Sequence, residues 1–280
     1  MNVLELGQHS FALLREGLGG DADSLGMFCD LFAADADLWL PPTPNTRSPY
    51  QGRNAIRQLL CGFVAPLYRD GLQLRLYQLL TGPDRVLFQF EDRGTKLDGS
   101  DYQNSPCIAL SFRDQQIAGF REYWGGPGFF AGQFDGSGAG GGIDAAAQDT
   151  ARQAMSQLIA GMGGSATAMD AFLAMMSDDV RLWFPPTPNT SSPYTGRADA
   201  TRLFRDFLMT LYPDGMAIEI FHETCGGTRT AFELQSRGVR RDGSVYVNSP
   251  CLCLDIKGGK IQTLWEHWGG PGFHRPLVPS

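Results

Sequence analysis

The sequence predicts an α+β protein that carries two copies of one domain. Residues 39–53 read WLPPTPNTRSPYQGR and residues 183–197 read WFPPTPNTSSPYTGR, at an offset of 144 residues (183 − 39). In each copy, apolar residues at helical spacing come first and alternating strand patterns follow. This period is too long for a solenoid repeat, so each copy is expected to be a whole domain.

The same offset relates identical residues along the rest of both copies without insertion or deletion. Among these pairs are Tyr68 and Tyr212, Tyr102 and Tyr246, Asn104 and Asn248, and Glu122 and Glu266. Between the copies lies a Gly- and Ala-rich stretch, whose composition is typical of a flexible linker. We therefore expect one domain over residues 1–131, a linker over 132–143 and a second domain over 144–280.

The elements of one copy follow from periodicity and from turn residues. Helical spacing predicts three helices, at residues 10–17, 24–34 and 54–67. A short strand at residues 37–40 ends in Pro41-Pro42, which begins a rigid loop. Alternation between turns predicts four strands, at residues 72–80, 86–97, 102–112 and 117–124. Helices followed by such a meander predict a curved antiparallel sheet packed on helices, with a cone-shaped ligand cavity between the layers.

Composition excludes several classes of function. The net charge is −7 and the pI is about 5.1, which argues against nucleic acid and against an anionic membrane surface. No apolar run approaches the roughly 20 residues of a membrane-spanning helix, and the first residues do not follow the pattern of a secretion signal. The expected partner is a small-molecule substrate.

The six cysteines predict free thiols in a reducing, cytoplasmic compartment. A disulfide framework in a duplicated protein should itself be duplicated, but only Cys107 and Cys251 occupy matching positions. Cys251 and Cys253 alternate along a strand, and no neighbouring residues complete a zinc spacing. We expect neither a metal nor a cofactor.

The order of elements resembles the nuclear transport factor 2-like fold, and the local sequences resemble its SnoaL-like branch, especially the phenazine-biosynthesis A/B proteins. The residues that carry the resemblance in the first copy are Leu38-Trp39, Gly52-Arg53, Tyr68, Arg93-Gly94, Tyr102-x-Asn104, Ser111-Phe112 and Arg121-Glu122-Tyr123. Proteins of this fold commonly dimerise through the outer face of the sheet. The resemblance therefore implies a fused intramolecular pseudo-dimer, and leaves further homo-oligomerisation open.

Glu122 and Glu266 are the expected catalytic residues. The resemblance places them where the phenazine proteins have an acid/base glutamate. The residues around Glu122 agree, because Phe120, Tyr123 and Trp124 predict an apolar strand in which burial raises a carboxyl pKa. The alternative is a structural glutamate paired with Arg93 or Arg121.

Further residues are candidates for contacting substrate. Tyr102 and Asn104 share one strand face, as do Tyr246 and Asn248, and each pair could present a phenol and an amide to a carbonyl. The alternative for the asparagines is hydrogen bonding to neighbouring backbone. The remaining candidates, for which a structural role is the alternative, are Trp39, Trp183, Asn45, Asn189, Tyr50, Tyr194, Trp124 and Trp268.

These observations predict a cofactor-free enzyme of specialised metabolism with two competent pockets. It would isomerise, cyclise, condense or dehydrate a ketone, polyketide or aromatic precursor by moving protons. One alternative is a non-catalytic protein that binds hydrophobic metabolites. Another is an epoxide hydrolase or cyclase, which needs a second carboxylate; Asp37 is the nearest match, but Arg181 occupies its place in the second copy.

Overall fold

The computed structural model describes residues 1–130, 142–187, 190 and 192–274. The chain divides into two compact units, Met1–Gly140 and Gly141–Ser280. Most of the predicted linker, residues 132–141, lies outside the described residues, so the proposed domain boundaries stay a prediction.

Two helices open the first unit, and a side-chain cap begins each of them. Helix α1 spans Val3–Leu18, and Asn2 and Glu5 form a reciprocal capping box, with both hydrogen bonds at 2.9 Å. This cap starts α1 seven residues earlier than periodicity alone predicts (residue 10 − residue 3). Helix α2 spans Ala22–Asp30 and begins after the cap Asp21. The two helices approach closely at Gly17, where a Cβ atom would lie 2.6 Å from the Leu25 backbone.

The third helix of the first unit changes its winding along its length. Helix α3 spans Arg53–Leu59, then continues as a π-helical segment, Leu60–Val64, and a 3₁₀ turn, Ala65–Leu67. The single helix predicted over residues 54–67 is therefore three pieces. Pro66 contributes to the change, because it has no N–H to donate to the helix.

The strands of the first unit are β1 Phe32–Trp39, β2 Tyr50–Gln51, β3 Tyr68–Thr81, β4 Arg85–Lys96, β5 Asp101–Asn104, β6 Cys107–Arg113 and β7 Gln116–Tyr123. Within this unit the order is β2-β1-β7-β6-β4-β3, and β5 pairs with β4. The meander from β3 to β7 is antiparallel, as predicted. The β1–β7 pair is parallel, so the prediction of a wholly antiparallel sheet is wrong there.

Three boundaries in this sheet correct the sequence predictions. The second helix ends at Asp30 rather than at residue 34, because Phe32 pairs with Ile117 of β7 and begins strand β1. The first long strand begins at Tyr68 rather than at residue 72. The predicted strand 102–112 breaks into β5 and β6 around Pro106, which cannot donate to the ladder.

The core of the first unit lies between the helices and one face of the sheet. Alternate strand residues face it, among them Leu38, Phe88, Phe90, Ile108 and Phe120. Residue 122 follows residue 120 with the same parity, so the sheet directs Glu122 toward this interior.

The second unit has the same succession of elements. Its helices are α4 Ala145–Met162, α5 Ala166–Ala174, α6 Arg197–Thr201, a π-helical segment Arg202–Leu208 and α7 Met209–Leu211. Its strands are β8 Met176–Trp183, β9 Tyr194–Thr195, β10 Met216–Gly226, β11 Arg229–Val239, β12 Val245–Asn248, β13 Cys251–Lys257 and β14 Lys260–His267. Within this unit the order is β9-β8-β14-β13-β11-β10, β12 pairs with β11, and β8 and β14 are parallel. Among the helices of the described residues, none has the length and hydropathy needed to span a membrane.

Candidate functional site

The second unit contains a cavity of about 100 Å³ between its helices and the inner face of its sheet. Most of the wall is apolar, with contributions from Met155, Met162, Phe204, Leu208, Leu234 and Leu264. The polar side chains that line it are Tyr212, Ser236, Tyr246 and Glu266. A mainly apolar wall with a few polar groups is typical of a small-molecule site.

Glu266 is the acidic group of this cavity. Strand β14 carries it, and the Trp268 Nε1–H donates a hydrogen bond to its Oε1 at 2.8 Å. Burial raises the pKa of Glu266 to about 7, and the Trp268 hydrogen bond opposes that rise. A carboxyl with such a pKa exchanges protons readily near neutral pH.

Two tyrosines lie near Glu266. The rings of Tyr212 and Tyr246 are 5.6 Å apart, and both line the cavity. Burial, and then the negative charge of Glu266, raise the pKa of Tyr246 above its ordinary value. Tyr246 therefore keeps its proton at neutral pH and can donate a hydrogen bond to a ligand oxygen.

The asparagines beside the tyrosines have two sets of contacts. The Asn248 side-chain oxygen accepts the Ser249 backbone N–H at 2.9 Å, the local role weighed as the alternative from sequence. Burial raises the pKa of Tyr246 and of Tyr102, and hydrogen bonds with Asn248 and Asn104, respectively, partly oppose that rise. The structure therefore brings each predicted Tyr–Asn pair together.

The first unit repeats the glutamate and its tryptophan. The Trp124 Nε1–H donates to Glu122 Oε1 at 2.9 Å, and burial raises the pKa of Glu122 to about 7. Each arginine considered as a partner pairs with another carboxylate. Arg121 pairs with Asp37 at 2.8 Å, and Arg93 pairs with Glu91 at 2.9 Å.

Asp92 is a carboxylate of this region that the sequence analysis missed. It lies on β4 with 5% of its surface exposed, and its Oδ2 accepts the Tyr102 hydroxyl at 3.4 Å. Its Oδ1 is buried and has no hydrogen-bond partner in the described part of the chain. Burial, and then the charge of Glu122, raise the pKa of Asp92 to about 7. Alternation could have found it, because Asp92 has the parity of Phe88 and Phe90.

The two interiors differ in which positions carry large apolar side chains. At positions related by the offset of 144 residues, Phe11, Phe90 and Phe120 of the first unit replace Met155, Leu234 and Leu264 of the second. The Phe11 and Phe90 rings are 5.6 Å apart. At two other wall positions the second unit has the larger side chains, because Phe184 and Phe204 correspond to Leu40 and Leu60 of the first.

The tryptophans of the first strands lie on the outer face of the sheet. The Trp39 Nε1–H donates to Asp37 Oδ2 at 2.9 Å, and the Arg121 guanidinium lies 5.6 Å from the Trp39 ring. Trp183 is in register with Trp265 on the neighbouring strand, and its parity is opposite to that of the core residue Leu182.

Four further candidates lie in or beside the Pro-rich loops. Asn45 is exposed, and Asn189 lies outside the described residues. The Tyr50 hydroxyl accepts the Arg47 backbone N–H at 3.2 Å. Tyr194 is closer to the site, because its ring is 6.1 Å from that of Phe184, which lines the cavity.

A serine closes this loop in each unit. The Ser48 hydroxyl accepts the Leu40 N–H at 2.8 Å and donates to the Leu40 carbonyl at 2.9 Å. Ser192 makes the same two bonds to Phe184, at 2.7 and 2.9 Å. The loop is thus held by its own hydrogen bonds.

Across residues 1–130, 142–187, 190 and 192–274, no group of three or more His, Cys, Asp or Glu side chains is placed to hold a metal ion. The six cysteines are free thiols, and the nearest sulfur atoms are those of Cys29 and Cys61, at 3.9 Å.

Comparison with known proteins identifies the domain in the second unit. Residues 159–264 match the family model described as SnoaL-like domain. Comparison with curated proteins finds no match.

Several solved structures are similar to this chain. A nuclear transport factor 2-like protein from Anabaena variabilis is 24% identical, with a TM-score of 0.42, and the match covers 45% of this chain and 92% of that one. A protein with a ketosteroid isomerase-like fold from Catenulispora acidiphila, in complex with trimethylamine, is 14% identical (TM-score 0.35, covering 41% and 83%). A Mycobacterium tuberculosis protein in complex with estradiol-17β-hemisuccinate is 16% identical (TM-score 0.36, covering 44% and 92%). From the family model, residues 159–264 form a SnoaL-like domain, as the sequence predicts for this part of the chain.

Proposed function

We propose that this protein is a cofactor-free enzyme of specialised metabolism that rearranges a ketone, polyketide or aromatic precursor by acid–base proton transfer. One observation carries the proposal. Glu266 lines an apolar cavity, its described hydrogen-bond partner is a tryptophan N–H, and its pKa is raised to about 7. A carboxyl held in this way is suited to accept and return a proton at neutral pH.

The proposed chemistry uses two groups of the cavity. The Glu266 carboxylate removes a proton from the carbon beside a carbonyl, and the Tyr246 hydroxyl donates a hydrogen bond to the carbonyl oxygen. Donation becomes stronger as negative charge develops on that oxygen, which lowers the barrier. Return of the proton to another carbon gives isomerisation, and attack of the enol carbon on an electrophile gives cyclisation or condensation.

The lining of the cavity supports the class of substrate. Its wall is apolar and includes three methionines, Met155, Met162 and Met216, which adapt to irregular apolar shapes. Tyr212, Ser236, Tyr246 and Glu266 are the polar groups available to a carbonyl or hydroxyl. A largely hydrophobic ring system with an oxygen substituent fits both sets of contacts.

We also propose that the chain is a tandem of two SnoaL-like domains, residues 1–131 and 144–280, joined by a linker over 132–143. The gapless offset of 144 residues and the matching order of elements support this organisation. The resemblance at Arg121-Glu122-Tyr123 supports kinship with the phenazine-biosynthesis A/B proteins. A fused pseudo-dimer in a reducing, cytoplasmic compartment remains part of the proposal.

The proposal is tested with ketones that report proton removal directly. We expect the protein to accelerate deuterium exchange beside the carbonyls of 2-tetralone and cyclohexanone in D₂O, measured by ¹H NMR. Glu122→Gln and Glu266→Gln should each remove part of the rate, and the double variant should fall to the buffer rate. Removing a general base typically costs about 10²–10⁴ in rate.

The exposed Glu16 on α1 supplies the control, because Glu16→Gln removes a carboxylate outside the interior. A double variant with the wild-type rate would refute the proposal. If one single variant abolishes all exchange, the idea of two competent pockets fails. Binding of both ketones without exchange in the wild-type protein would instead favour a non-catalytic binding protein.

A further inference from the structure

Asp92 distinguishes the interior of the first unit from that of the second. Its counterpart at the offset of 144 residues is Ser236, which lines the cavity of the second unit. Asp92 has the parity of Phe88 and Phe90, which belong to the core. The first unit therefore directs two carboxyl groups, those of Asp92 and Glu122, toward its interior, where the second unit has Glu266 and a serine.

The surroundings of Asp92 leave one of its oxygens available. It is 95% buried (100 − 5), and Tyr102 satisfies Oδ2 at 3.4 Å, whereas Oδ1 has no partner among the residues described. A buried polar atom without a hydrogen-bond partner destabilises the fold. Hydrogen bonding of this oxygen to a bound ligand would explain why it has no partner within the protein.

Three titratable groups interact electrostatically or by hydrogen bonding with Asp92. They are Tyr102 on β5, Tyr68 at the start of β3 and Glu122 on β7, and the Tyr68 and Tyr102 rings are 5.2 Å apart. Helices α1 and α3 cover this side of the sheet with apolar side chains such as Phe11, Leu14 and Ile56. Two like charges in so apolar a site oppose each other's ionisation, so the carboxyl pair tends to keep one proton.

We infer that Asp92 is a second proton-transfer residue, which acts with Glu122 as a donor–acceptor pair in the first unit and has no counterpart in the second. The inference rests on the proposed function, and it specifies the ligand of the first unit. That ligand is an enolisable ketone, because one carboxyl group can remove its α-proton while the other protonates its carbonyl oxygen.

Enolisation of the ketone needs no proton donor or acceptor other than Glu122 and Asp92. The Glu122 carboxylate takes a proton from the α-carbon, and the C–H electron pair becomes the new C=C bond. The carbonyl π pair moves onto oxygen, which takes the proton of Asp92. The products are the enol, a protonated Glu122 and an ionised Asp92. Reversal after Glu122 exchanges its proton with solvent returns the ketone with deuterium at the α-carbon.

The test isolates the first unit by using the Glu266→Gln protein as parent and cyclohexanone in D₂O as the probe. We expect a bell-shaped pH profile centred near pH 7, because Glu122 must be ionised and Asp92 protonated. Asp92→Ser introduces the residue that the second unit has at the matching position, Ser236. It should lower the maximal rate at least tenfold and remove the alkaline limb of the profile.

Two further variants sharpen the result. Ser236→Asp in the Glu122→Gln protein should give the second unit an alkaline limb that it otherwise lacks. Asp101→Ser, at an exposed position on β5, should leave the profile of its parent unchanged. An Asp92→Ser protein that keeps the bell shape of its parent would overturn the inference.

A ligand-free measurement separates this inference from the proposed function. Infrared difference spectra between pH 5 and 9 report protonated buried carboxyl groups. Loss of one such band in Asp92→Ser supports the pair even if the parent exchanges no ketone, in which case the proposed function alone fails. Identical spectra for Asp92→Ser and its parent would overturn the pair whatever the exchange rates.

Discussion

A carboxyl group that titrates near neutrality inside a protein lowers the stability of the fold in its ionised form. The pKa of Glu266 is about 7 in the folded protein and 4.5 in the unfolded reference state. The folded chain therefore holds the proton more tightly. This tighter binding of the proton stabilises the folded state; the stabilisation is complete below about pH 4 and is lost as the pH rises through 7.

Glu266→Gln should reduce this pH dependence. One pKa unit corresponds to about 1.4 kcal/mol, so the shift of Glu266 makes wild-type unfolding about 2–3 kcal/mol less costly at pH 8 than at pH 5. The variant should lack that part of the loss, as measured by urea unfolding at both pH values. Glu16→Gln should follow the wild-type protein. Equal pH dependence in wild type and Glu266→Gln would mean that Glu266 titrates normally.

Repetition and alternation together identify the glutamates and their strand face in the sequence, whereas alternation alone points to Asp92. Glu122 and Glu266 recur at the offset of 144 residues beside aromatic neighbours, so repetition and alternation point to the same residues. Repetition excludes Asp92, because Ser236 stands at its matching position. A search restricted to residues shared by both copies cannot find a functional residue at a position where the copies differ.

At the scale of elements, the Pro-rich loops depend on one hydroxyl each. Ser48→Ala would leave the Leu40 N–H and carbonyl without the partners that now lie at 2.8 and 2.9 Å. We expect a loss of about 1–3 kcal/mol in the free energy of unfolding, measured in urea. Ser192→Ala should cost a similar amount.

Ser156 on α4 is the matched control, because it is exposed and its replacement by alanine should change stability by no more than about 0.5 kcal/mol. If Ser48→Ala is as harmless as Ser156→Ala, water replaces the hydroxyl and the loop does not depend on Ser48.

Element types could be predicted better than element ends. The four long strands and three helices follow from local periodicity, and Pro106 explains why one predicted strand is two. The parallel pairing of β1 with β7 joins Phe32 to Ile117, which are 85 residues apart (117 − 32). No local pattern specifies such a contact, so the sequence prediction extends the second helix beyond its end at Asp30.

At the scale of the whole molecule, we expect bulkier wall residues to reduce the size of the ligand that the second unit accepts. A triple variant gives the second unit the side chains of the first at three wall positions: Met155→Phe, Leu234→Phe and Leu264→Phe. In the Glu122→Gln protein, this triple variant should exchange cyclohexanone in preference to 2-tetralone, measured by ¹H NMR. Larger side chains in a packed interior also cost about 1–3 kcal/mol of stability, which urea unfolding would measure.

Met169→Leu is the control for this exchange of side chains. Met169 is buried in the same core, and its replacement by leucine nearly conserves volume, so ketone selectivity should not change. A triple variant that still exchanges 2-tetralone at the rate of its parent would show that these three positions do not limit the cavity.

The π-helical segments, Leu60–Val64 and Arg202–Leu208, have a consequence for how such a chain can diversify. A π-helical turn amounts to an α-helix with one surplus residue, so losing that residue would restore ordinary winding and change the positions of side chains within the segment. In the second unit Phe204 and Leu208 belong to this segment and also line the cavity. Loss of a single residue there would therefore move the side chains of one cavity wall while the strand that carries Glu266 keeps its sequence.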